Sequence, residues 1–98
     1  MTRSVVLRRA AQRELEEAAL WYEERRLGLG AEFVAEIERA IGLVVESPER
    51  FPIMHRDVRC VWARRFPYSI FFRIESTRLV VLAVFHARRN PTIWQGRV

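Results

Sequence analysis

Apolar residues change their spacing along this chain, and each change marks an element. Val5, Val6 and Leu7 form a short β-type run. From about Arg9 to Arg26, Leu15, Ala18, Ala19 and Tyr22 recur at intervals of three and four, the period of a helix with one buried face. Leu27-Gly28-Leu29-Gly30 stops that helix, because glycine accepts the left-handed conformation at a helix C-terminus. A second stripe follows in Phe33, Ile37, Ala40, Ile41, Val44 and Val45. Ser47-Pro48 ends it, since proline has no N–H to continue the ladder. So short a gap between amphipathic helices predicts an antiparallel helical hairpin.

Beyond Pro48 the period shortens. Ser47 to Asp57, with Pro48 and Pro52, reads as a loop. Val58–Ala63, Phe66–Ile74 and Leu79–His86 read as strands, the first with Val58, Cys60 and Trp62 on one face. The other two are nearly continuous apolar runs, as expected of central strands covered on both faces. Glu75-Ser76-Thr77-Arg78 joins them as a tight polar turn. The predicted order is β-α-α-β-β-β: an α+β fold, an antiparallel sheet with the helical hairpin packed on one face. With no repeat and no linker, residues 1–98 read as a single domain, long enough for one modest core.

Charge divides the chain unevenly. Residues 1–49 carry 7 Arg against 10 Glu, whereas residues 50–98 carry 10 Arg against Asp57 and Glu75 alone. The overall charge of +5 thus hides an acidic helical half and a basic strand half, which calls for an acidic partner. Every cation is Arg, and guanidinium forks pair bidentately with carboxylates and phosphates and stack on aromatic rings. A single cysteine, Cys60, excludes an internal disulfide, and with two histidines neither a metal nor a cofactor is expected. The apolar run near the start is too short for a signal peptide, and nothing approaches the roughly 18 apolar residues of a membrane span. A cytoplasmic protein is the expectation.

Candidate chemistry concentrates near the C-terminus. His86 ends the last strand with Arg88 and Arg89 beyond it, while Arg64, Arg65 and Tyr68 stand at the start of the neighbouring one. Metal-free RNA cleavage needs a base, an acid and cations for the strained phosphate, and these residues are of the right types. The alternative is a strand-end histidine bonding a neighbour beside solvated arginines. Phe66, Tyr68, Phe71, Phe72 and Phe85 sit at strand spacing and read as core, whereas Trp62 and Trp94 read as exposed anchors for a partner. His55 and Arg56 read as ordinary loop residues. Glu14, Glu16, Glu17, Glu23 and Glu24 read as a solvated face partly paired with Arg13, Arg25 and Arg26.

Five segments, in this order and spacing, resemble the RelE/ParE superfamily of bacterial type II toxins over essentially the whole chain. They are Ala19-Leu20-Trp21-Tyr22-Glu23, Leu27-Gly28-Leu29-Gly30, Ser47-Pro48-Glu49-Arg50-Phe51-Pro52, Arg64-Arg65-Phe66-Pro67-Tyr68-Ser69-Ile70-Phe71-Phe72, and Val81 to Pro91 with its His86-Ala87-Arg88-Arg89-Asn90-Pro91 ending. The resemblance implies a toxin neutralised by a cognate antitoxin, usually encoded beside it. RelE-like members cut messenger RNA on the ribosome; ParE-like members poison DNA gyrase. RelE-like enzymes usually place a catalytic Arg early in the strand that here begins Phe66-Pro67-Tyr68-Ser69, and this chain has Tyr68-Ser69 instead. His86 matches only in part the Tyr or His that many of them carry near the C-terminus.

The Arg-Phe-Pro-Tyr and His-x-Arg-Arg-x-Pro pieces are ParE-like, so the resemblance favours a non-enzymatic gyrase inhibitor with Arg88, Arg89 and Trp94 as target contacts. One alternative is a ribosome-dependent, metal-independent endoribonuclease acting through Arg65, Tyr68 and His86. Another is an inactive, antitoxin-binding regulator. In each case an acidic or amphipathic C-terminal segment of the antitoxin would meet Arg59, Trp62, Arg64 and Arg65 in a hetero-oligomer.

Overall fold

The computed structural model describes residues 3–98; Met1 and Thr2 of the expected 1–98 domain lie outside the described residues. Strand β1 (Ser4–Leu7) leads into helix α1 (Arg9–Arg25), which turns back as helix α2 (Leu29–Glu46). Four strands follow, β2 (Ile53–His55), β3 (Val58–Trp62), β4 (Tyr68–Glu75) and β5 (Arg78–His86), and then a one-turn helix α3 (Thr92–Gln95). The sheet order is β1-β5-β4-β3-β2. The fold is α+β, with the helical hairpin on one face of a mostly antiparallel sheet, as the sequence predicts.

The glycine turn between the helices has two distinct parts. Gly28 takes φ 88°, the left-handed conformation that a Cβ disfavours. Gly30 does not stop a helix but lies inside α2, buried where that helix crosses α1. A Cβ placed on it would stand 2.5 Å from the Ala19 carbonyl oxygen. Glu23, expected on the solvated face, instead accepts the Gly28 and Gly30 N–H groups at 2.8 and 3.0 Å. A carboxylate at these otherwise orphaned donors also complements the positive end of the α2 dipole.

Three departures from the sequence reading have physical causes. The sheet is not wholly antiparallel: β1 runs parallel to β5, from Ser4↔Arg78 to Leu7↔Val81. Parallel neighbours need a long crossover, and the helical hairpin begins one. The expected loop from Ser47 to Asp57 holds a 3-10 turn at Pro48–Arg50 and the edge strand β2, which pairs with β3 through Ile53↔Arg59 and His55↔Val58. The strand expected from Phe66 begins at Tyr68, because Arg65 adopts φ 71° and Pro67 has no N–H for a ladder. Phe66 is still buried, packed edge-on against Tyr22 and Phe33.

Both sheet faces are covered, which explains the unbroken apolar runs in β4 and β5. On one side Phe33, Ile37, Ala40 and Val44 of α2 meet Ile70, Phe72, Leu79 and Val84. On the other, Val58, Cys60, Phe71, Leu82 and Phe85 meet Trp94. Trp94 was expected to be exposed; it is 3% exposed and stacked on Phe71 at 3.9 Å. The basic C-terminal segment cannot leave this sheet face bare without exposing Phe71, so its Trp becomes core. Asn90 Oδ1 starts α3 by accepting bonds from the Thr92 N–H and hydroxyl at 3.0 and 2.9 Å.

Candidate functional site

An open cleft of ≈ 1030 Å³ lies where the C-terminal end of β5 and the start of β4 meet α1. Arg13, Glu14, Glu17, Trp21 and Tyr22 line it from the helix; Tyr68, His86, Arg88, Arg89 and Arg97 line it from the strands and the segment beyond. β4–β5 pairing sets Tyr68 directly opposite His86, and their rings meet edge to face at 5.1 Å. Tyr68 also packs on Phe33 at 5.0 Å. Burial, and then Tyr22 beside it, pushes the Tyr68 hydroxyl above its ordinary value, so it stays protonated near neutrality.

His86 carries a specific constraint. Its Nδ1 accepts the Arg88 N–H at 3.0 Å, which in the neutral ring puts the proton on Nε2. The Nδ1 lone pair is thus engaged, and Nε2 is left as a donor. Arg65, the expected cation for this pair, is not part of the cleft lining. It is exposed, ion-paired with Glu32 at 2.9 Å and 5.2 Å from the Phe66 ring centroid. Tyr68 and His86 are thus brought together and Arg65 is held elsewhere.

The proposed target contacts separate in the same way. Arg88 is exposed, and among the described residues it has no carboxylate within ion-pair distance; the same holds for Arg13 on the opposite wall. Arg89 is compensated by Glu14 at 2.6 Å and lies 4.3 Å over Phe85. Trp94 is core and offers no ring to a partner.

Of the residues assigned to an antitoxin, Trp62 is 73% exposed at the end of β3. The Arg64 side chain is exposed while its backbone N–H donates to Glu36 at 2.6 Å. Arg59 is committed to its own loop, donating to the Glu49 and Phe51 carbonyls at 2.9 and 2.7 Å.

Of the residues central to this region, the sequence pattern misplaces Glu14 and passes over Glu36. Glu14, expected to be solvated, is 11% exposed and bonded to Val84, Arg89 and Arg97. Glu36, which the sequence reading did not single out, is 12% exposed, and its bonds to Arg39 and to the Arg64 N–H hold its carboxyl at about 2. A signal for both was available. Glu14 falls among Ala11, Leu15 and Ala18, and Glu36 among Phe33, Ile37 and Ala40, so each lies on the apolar stripe of its helix. An acid on a buried stripe needs partners.

The family model for the ParE toxin of the type II toxin–antitoxin system, parDE, matches residues 5–91. The chain belongs to the ParE toxin family. Among solved structures, the one named "Chromosomal ParDE TA system from P. aeruginosa" is similar at a TM-score of 0.75 and 18% identity. The match covers 89% of this chain and 98% of that one, and at this identity it speaks for a shared fold. No curated protein shows a significant match. As a ParE-family toxin the chain has an antitoxin as its implied partner. Among the described residues no helix is long and apolar enough to cross a membrane.

Proposed function

We propose that this ParE-family chain inhibits DNA gyrase in the cytoplasm by binding rather than by catalysis. The observation that supports this best is the state of the cleft. Its histidine Nδ1 is engaged by the Arg88 N–H and its expected arginine is held elsewhere by Glu32. What the cleft offers instead is recognition, through the uncompensated Arg88 and Arg13 beside the half-exposed Trp21. Guanidinium groups next to aromatic rings suit an acidic surface on a macromolecular partner. A cognate antitoxin with an acidic or amphipathic C-terminal segment neutralises the toxin, docking across Trp62, Arg64 and Arg65 in a hetero-oligomer. Exposed Trp62 is the anchor in this reading.

Supercoiling by purified bacterial gyrase, with this chain alone and then with the product of the adjacent gene, tests the proposal. Inhibition relieved by that partner supports it. Arg88→Glu weakens inhibition about tenfold or more if the cleft is the contact, while His86→Ala, which only frees the Arg88 N–H, weakens it less. A second reading, ribosome-dependent RNA cleavage, draws on the contact between Tyr68 and His86. Growth arrest abolished by His86→Ala, with gyrase unaffected by the wild type, would favour it. Absence of any growth arrest on expression would leave an antitoxin-binding regulator. Deleting residues 87–98 is a poor probe for any of these, because it strips Trp94 from Phe71.

A further inference from the structure

Strand β5 outruns its neighbour. Pairing with β1 stops at Leu7↔Val81, so among the described residues the outer edge of β5 from Leu82 onward has no strand beside it. A bare edge leaves backbone N–H and C=O groups without partners in a largely buried place. Here side chains fill it. Glu14 accepts the Val84 N–H at 3.1 Å, and Arg97 donates to the Leu82 carbonyl at 3.0 Å.

The two plugs are also bonded to each other, with Arg97 Nη1 and Nη2 at 3.0 and 2.9 Å from the Glu14 carboxylate. Arg89 adds a bond of 2.6 Å to the same group. Arg8 holds the far end by donating to the Arg97 carbonyl at 3.1 Å. Arg89 and Arg97 lie 4.3 and 5.9 Å from the centroid of the same ring, Phe85. Without the carboxylate, two guanidinium groups would repel each other around that ring. One residue on α1 therefore grips the C-terminal segment at both Arg89 and Arg97, with Trp94 seated between the grips and Arg88 immediately before the first.

We infer that Glu14 is the positioning residue of the C-terminal segment, a clamp across the open edge of β5 that sets where Arg88 stands at the cleft. Its bearing on inhibition rests on the gyrase-binding reading; the clamp itself does not.

Glu14→Gln separates the two functions of the carboxylate, because the amide oxygen still accepts the Val84 N–H while the charge facing Arg89 and Arg97 is lost. Amide exchange over residues 93–97 is expected to quicken about tenfold, with Val84 and the α2 amides nearly unchanged and gyrase inhibition reduced in parallel. A merely structural role would quicken exchange throughout. Arg97→Gln cuts the clamp from the other side, gives the same pattern, and serves if Glu14→Gln does not fold. Unchanged exchange over 93–97 in a folded variant overturns the clamp. Faster exchange with full inhibition retained overturns the positioning role. A wild type that does not inhibit gyrase defeats the gyrase reading alone, since the exchange pattern still decides the clamp.

Discussion

Adding one methyl group at each of three glycines has a different outcome at each. At Gly30 the new Cβ lies 2.5 Å from the Ala19 carbonyl oxygen and 3.0–3.1 Å from Glu23 atoms. Ordinary contact distance is about 3.5 Å or more, so α1 and α2 have to part by about an ångström. The nearest obstacle is backbone and cannot rotate away. The separation also stretches the two bonds from Glu23 that cap α2.

Overpacking of this kind costs about 2–3 kcal/mol, equivalent to a fall of roughly 10–20 °C in Tm for a domain of this size. At Gly28 the space is open but φ is 88°, so Gly28→Ala costs about 1–2 kcal/mol from backbone strain alone. At Gly42, in the exposed interior of α2, nothing lies within 4 Å, and Gly42→Ala stabilises by about 0.5–1 kcal/mol. Urea unfolding followed by helical dichroism and tryptophan fluorescence gives all three values at a shared m. Gly30→Ala within 0.5 kcal/mol of the wild type would refute the close approach of the two helices.

Other substitutions test other parts of the structure. The Glu36 carboxyl is held at about 2 in the fold against 4.5 when unperturbed, chiefly by its bond to Arg39. Its stabilisation is therefore fully present above about pH 4.5 and is lost as pH falls through about 2. Glu36→Gln should flatten that acid limb in a pH series of urea melts, and an unchanged limb would assign it to other groups. Trp94→Ala should cost about 3–5 kcal/mol, while Trp62→Ala stays within about 0.5 kcal/mol yet weakens antitoxin binding by calorimetry; equal stability losses would contradict the burial difference. Arg65→Gly relieves a positive φ and gives up an exposed pair with Glu32 and a contact with the Phe66 ring. It should be neutral to about 1 kcal/mol stabilising, and a loss above 1 kcal/mol would mean that the pair matters.

What was legible in the sequence was whatever repeats at short range. The stripes Leu15–Tyr22 and Phe33–Val45, the glycine turn and the apolar runs of β4 and β5 are patterns with the helix or strand period, and they made the α+β fold and the helical hairpin readable. The family resemblance rested on local segments in order and was readable for the same reason. Strand β2, with three residues, has too few positions for a period to register, and α3 is a single turn whose only local cue is Asn90.

The site was legible in composition but not in arrangement. That Tyr68 and His86 lie near strand ends follows from the runs around them; that they face each other follows from β4–β5 register. Which arginines are free is different in kind. Arg88 and Arg89 are adjacent and chemically identical, yet one is compensated by a glutamate 75 residues away and the other is not. Trp62 and Trp94 were equally plausible anchors until the second face of the sheet needed a cover. Short-range periodicity lies within the chain and determined the elements by itself. Pairing of charges and burial of a terminal tryptophan depend on which distant surfaces meet, and only the tertiary structure decided those.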